Sequence, residues 1–96
     1  MEAIVRKEKE TLELILIFPY IIENSRGDFQ SFTLSEGHSP CSHGWYLEAT
    51  IPPTEYDLKS NAYKKLMEYS KGLKIMKKIN LNKQAEIIRN FKIGKR

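Results

Sequence analysis

The amino-acid sequence predicts an α+β fold: a three-stranded antiparallel sheet followed by two or three C-terminal helices packed on one face. Three observations carry that expectation. Residues 12–18 place Leu12, Leu14, Leu16 and Phe18 on one side of an extended chain, with Ile15 and Ile17 on the other. Two shorter segments, 29–34 and 45–51, also alternate with a period of two. From Leu58 the period changes to that of a helix. Strands that precede helices, rather than alternating with them, define the α+β class.

The 96 residues, 41% hydrophobic and 29% charged, suit one domain spanning residues 1–96. A multidomain enzyme, a transmembrane bundle and a disulfide mini-protein are excluded on size and composition. Cys41 is the one cysteine, so no intrachain disulfide forms, which fits a reducing compartment. The apolar run is interrupted by Pro19 and bounded by Glu13 and Glu23, short of the roughly 20 residues a spanning helix needs. Glu8, Glu10 and Glu13 interleave with Arg6, Lys7 and Lys9 ahead of it, unlike a signal peptide. The expected setting is the cytoplasm, with no membrane partner. Lys, Ile and Asn supply 28 of the 96 residues, a bias that suits an AT-rich bacterial or phage genome.

In chain order, residues 1–10 mix charges with Ala3, Ile4 and Val5, compatible with a short strand, a helical turn or an arm. Residues 11–53 read as mainly strands. The first starts at Thr11; its two apolar faces predict a central strand covered on both sides. Residues 24–28, including Arg26-Gly27-Asp28, form a turn cluster that leads into a second strand. Residues 35–44 read as a loop, 45–51 as a third strand, and Pro52-Pro53 as its end. Residues 54–92 read as helical. Thr54 lies three residues before Asp57, the spacing of a capping box. Leu58, Ala62, Leu66, Tyr69, Leu73 and Met76 fall within an arc of about 80° and form the expected core stripe. Gly72 either caps that helix or interrupts it. Asn82 is the expected N-cap of a last helix, with Ala85, Ile88 and Phe91 as its apolar line and 93–96 as a basic tail.

Charge divides the chain. Residues 1–56 carry four Lys or Arg against nine Asp or Glu, a net −5, while residues 57–96 carry twelve against three, a net +9. A basic half implies an anionic partner, either nucleic acid or an acidic protein surface, or else a solvated helical face. The residues expected to meet that partner are Tyr63, Lys64, Lys71, Lys74, Lys77, Lys78 and Arg89. Lysine holds phosphate as a point charge, whereas arginine reads guanine edges, so twelve lysines against four arginines predict weak sequence specificity. Tyr69, on the core stripe, is expected to be unavailable for stacking.

Two other groups offer candidate chemistry. Glu36, His38, Cys41 and His43 combine thiolate, imidazole and carboxylate, the chemistry of a zinc site or of a Cys/His nucleophile. Their spacing matches no common zinc motif. Trp45 and Tyr46 are natural anchors of a protein interface, Trp45 toward the core and Tyr46 on the opposite face. With no cofactor motif, no cofactor is expected. The chain therefore reads as a small non-enzymatic regulatory protein whose basic helices contact an anionic partner. The alternative is an inhibitor, adaptor or immunity-type factor acting through the sheet face and residues 36–46. A metal-binding or Cys/His enzyme is the minor alternative. A second copy of the chain is one way to cover the other apolar face of the first strand.

Overall fold

The computed structural model describes residues 2–24 and 26–94. It is an α+β fold, but its sheet has six strands rather than three. In chain order the elements are β1 (Glu2–Glu8), β2 (Leu14–Ile22), β3 (Phe29–Thr33), β4 (Gly37–Cys41), α1 (His43–Ala49), β5 (Thr50–Ile51), α2 (Glu55–Leu58), α3 (Asn61–Tyr69), β6 (Lys74–Met76) and α4 (Leu81–Gly94). The sheet order is β4-β3-β2-β1-β5, and β6 pairs with β1. All pairings are antiparallel except β6 with β1, which is parallel.

In place of the possible arm, residues 2–8 form a central strand. Ile4 pairs with Ile17 and Val5 with Leu16, so β1 is as two-sided as β2. The charges that obscure its pattern have partners. Arg6 donates from Nε to Thr50 Oγ1 at 3.0 Å and from Nη2 to the Thr50 carbonyl at 2.9 Å, and it lies over the Tyr46 ring. Lys7 pairs with Asp57 at 3.1 Å. Asp57 also closes the capping box with Thr54 at the start of α2.

The core forms two layers, one on each side of β1 and β2. Ala3, Val5, Leu14, Leu16 and Phe18 meet Leu66 of α3, with Tyr63, Met67 and Leu73 around it. On the other face Ile4, Ile15 and Ile17 join Phe29 and Cys41, closed by Tyr46 of α1 and by Met76 and Ile79. Helices thus lie on both faces, not one. The second apolar face of β2 is covered from within the same chain, which removes the reason for placing a second copy there.

Three further expectations are corrected. Residues 45–51 are not a strand. Ser42 caps α1 by accepting from the Trp45 N–H, and only Thr50 and Ile51 are extended. Residues 35–44 are not all loop, since β4 pairs with β3 along its whole length, Phe29 opposite Cys41 and Thr33 opposite Gly37. The core stripe from 58 to 76 also fails. α3 ends at Tyr69, Gly72 turns the chain at φ +86°, and β6 follows. Of the six stripe residues only Leu66 is buried; Leu58 is 41% exposed and Tyr69 76%.

α4 crosses the far end of β2. Its cap is Asn80 rather than Asn82, with Asn80 Oδ1 accepting from the Lys83 N–H. It runs to Gly94, into the expected tail; Lys95 and Arg96 lie outside the described residues. Buried Gln84, not Ala85, leads its inner face and donates to the Pro19 carbonyl at 2.9 Å. Pro19 has no N–H for the ladder, and the β2–β3 register shifts just beyond it, between Phe18 and Ile22. Ile88 packs against Gly27 in the β2–β3 turn, where φ is +85°. Among the described residues, no helix is long and apolar enough to cross a membrane.

The two-layer core predicts unequal effects on α2 and α3. Leu66→Ala should lower stability by about 2–5 kcal/mol. Leu58→Ala should stay within about 0.5 kcal/mol of the parent. Urea denaturation midpoints measure both; equal losses would restore the continuous stripe.

Candidate functional site

Of the seven residues expected to meet the anionic partner, the six cations are exposed and the one aromatic residue is half-buried. Lys64 on α3, Lys71 in the turn after it, Lys74 on β6, Lys77 and Lys78 beyond it, and Arg89 on α4 are all exposed. Tyr63 is half-buried against the Leu66 layer. The ion pairs among the described residues are Lys7–Asp57, Arg26–Asp28 and Lys83–Glu2. None of the six exposed cations belongs to them.

Four of the six lie within residues 71–78, at most about 25 Å of chain. This segment forms the outer margin of the sheet, because β6 pairs only with β1 and only over three residues. The register sets Lys74 beside Glu2. The Glu2 carboxyl is held below its ordinary value, first by the hydrogen bond from Lys83 Nζ at 3.0 Å, with the charges of Lys83 and Lys74 adding to it. Lys83 is thereby occupied, and it also sits over the Tyr20 ring.

An aromatic shelf adjoins the end of α3. The Tyr69 ring lies 5.4 Å from Phe32, Phe32 lies 5.0 Å from His38, and His38 lies 6.4 Å from Phe18. Tyr69 and His38 are exposed and Phe32 is half-buried. A dent of about 80 Å³ opens between them, backed by Leu16, Ser70 and Leu73. Lys65, one helical turn before Tyr69, and Lys71, two residues after it, are both exposed. Sequence patterning missed this shelf because it placed Tyr69 in the core and His38 in a loop.

The Cys/His group does not assemble. His38 lies opposite Phe32 in the register and packs on the Tyr69 side of the sheet, whereas Cys41, three residues on, joins the other layer. His43 starts α1 and packs near Phe29 and Tyr46. No three His, Cys, Asp or Glu side chains converge on a metal position among the described residues. Cys41 borders a cleft of about 320 Å³ with a floor of Ser31, Thr33 and Ser39 and with the carboxylates of Glu8, Asp28 and Glu36. Burial, and then the negative charge of Asp28, push its thiol up to about 12, the reverse of what a nucleophile needs.

Trp45 and Tyr46 exchange their expected places. Tyr46 packs on Phe29 and under Arg6, while Trp45 is 37% exposed at the mouth of the Cys41 cleft. A helix sets neighbours about 100° apart, where a strand would have set them on opposite faces.

Compared with family models, with curated proteins and with solved structures, the chain finds no match.

The raised thiol of Cys41 gives a direct test. At pH 8 the native thiol is neutral and enclosed, so a disulfide reagent such as DTNB should modify it at least roughly 100-fold more slowly than in denatured protein. Native reactivity equal to that of a free thiol would return Cys41 to the list of functional groups.

Proposed function

We propose that this is a small non-enzymatic protein that binds nucleic acid through the basic surface formed by Lys64, Lys71, Lys74, Lys77, Lys78 and Arg89. The observation that carries this reading is the exposure of all six cations, none of which forms a direct ion pair among the described residues, although Lys74 lies beside Glu2 in the strand register. A phosphate backbone meets such a surface by displacing its condensed counterions, which requires accessible charge and no pocket. Because five of the six are lysines, binding is expected to follow charge rather than base identity.

Lysine on an exposed edge strand also discourages pairing between sheet edges, so β6 would carry Lys74 even without a ligand. That function needs one or two charges on the strand itself. It does not account for Lys77, Lys78, Lys71 and Arg89 outside it.

A second reading rests on a different observation. Trp45 is 37% exposed and Leu47 58% exposed on α1, beside the acidic cleft. An aromatic anchor at the rim of a cleft suits a protein partner, and the adaptor or inhibitor reading would place its interface there.

The test is fluorescence anisotropy with labelled single- and double-stranded oligonucleotides, at low and at physiological salt. Joint substitution of Lys71, Lys74 and Lys78 by alanine should weaken binding. It should also reduce the slope of log K against log salt by about 2–3. Binding that is unchanged in strength and slope would remove the basic surface as the site. Absence of binding by the parent protein at low salt would direct attention to α1 and a protein partner.

A further inference from the structure

We infer that the preferred ligand is a single-stranded nucleic acid, with one or two unpaired bases stacked on the shelf of Tyr69, Phe32 and His38 and its phosphates held by Lys65 and Lys71. This inference rests on the nucleic-acid reading above and narrows it to a strand type.

The shelf has what stacking requires. Tyr69 is 76% exposed, although it ends the helix whose Leu66 is fully buried. Such an aromatic ring leaves a large apolar surface in water. His38 presents a second exposed ring through β4. Phe32 lies between them, 5.4 Å from one centroid and 5.0 Å from the other. The three rings are mutually tilted, at 39° and 56°. Phe32 thus packs against both neighbours, and the rings border an open dent of about 80 Å³.

Charge complementarity selects the occupant. Lys65 shares the Tyr69 side of α3, and Lys71 follows in the turn, so cations lie on two sides of the ring. Glu68, beside Tyr69 in sequence, points about 100° away round the helix. Gln30 lies two residues before Phe32 on β3 and so projects from the same face of the sheet, offering an amide edge. Its Nε2 already donates to Glu23. A duplex keeps its base faces covered by neighbouring base pairs and can reach the lysines only. An unpaired strand offers both the phosphate and the free base face, and so engages shelf and cations together.

The experiment compares a labelled 12-nucleotide single strand with a duplex of the same sequence. The parent, Tyr69→Ala, Tyr69→Phe, His38→Ala and the Lys71/Lys74/Lys78 triple alanine variant are each measured. Circular dichroism and sedimentation are run on every variant. Tyr69→Ala should weaken single-strand binding by roughly 5- to 100-fold, Tyr69→Phe by less than about 2-fold, and duplex binding should be unmoved by either. His38→Ala should follow Tyr69→Ala in direction. Equal affinity for both strand types, with Tyr69→Ala and His38→Ala silent and the triple variant weakened, would overturn the shelf and leave the basic surface standing. A parent that binds neither strand would overturn both. A parent that sediments as a dimer, and a Tyr69→Ala variant that sediments as a monomer, would assign the shelf to a second copy of the chain instead.

Discussion

β1 and β2 are apolar on both faces, and a strand pair of that kind is stable in water only when something covers each side. Ile4, Ile15 and Ile17 face one way while Ala3, Val5, Leu14, Leu16 and Phe18 face the other. The remaining elements are arranged to meet this demand. α3 supplies Leu66 to one layer. α1 supplies Tyr46 to the other, and the stretch from β6 toward α4 adds Met76 and Ile79. This cover is concentrated on β1 and β2. Little is left for β3 and β4, whose outer halves carry Ser31, Thr33 and Ser39 on one side and Gln30, Phe32 and His38 on the other.

That shortage of cover produces both open surfaces of the molecule. On one side it leaves a hydroxyl-lined cleft with carboxylates around it; on the other it leaves aromatic rings near lysines. The acidic and basic halves of the chain meet across few ion pairs among the described residues. Lys83 with Glu2 is such a pair, while Lys7 with Asp57 joins a base of the first half to an acid of the second. Most of the basic charge stays in solvent, where a polyanion can find it.

What could be read in the sequence was whatever short-range chemistry decides. The two-faced run of β2, the Asn24 to Asp28 turn, the alternation of β3 and the Thr54–Asp57 cap are local, and they form where expected, except that β2 begins at Leu14 rather than Thr11 because Leu12 turns at φ +62° and is exposed. The errors arise where a distant partner decides. β4 contains Gly37, Ser39 and Pro40, none of them strand formers, and is extended because β3 lies beside it. Residues 45–51 are too short for period two and period 3.6 to be told apart, and Ser42 settles the matter by capping a helix. Leu73 and Met76 continue the spacing of α3 by coincidence, for Gly72 has already turned the chain toward β1. The misplacement of Tyr69 follows directly: a stripe drawn two turns too long rotates the apparent core onto an exposed ring. The His38–Cys41 grouping fails for the complementary reason, since residues three apart converge on a helix or a loop but face opposite ways on a strand.

The parallel pairing of β6 with β1 joins Ala3 to Ile75 and Ile4 to Met76. A contact between residues so far apart in the chain cannot form early. As the polypeptide leaves the ribosome, β1 and β2 can pair at once, but one face lacks Leu66 and the other lacks Met76 and Ile79 until those residues have been made. During that interval a hairpin with an uncovered apolar face and a free strand edge is present, which is the form of nascent chain that chaperones hold and that aggregates in their absence. The order of synthesis thus places a period of vulnerability at the centre of the fold, and it ends only when the last strand docks.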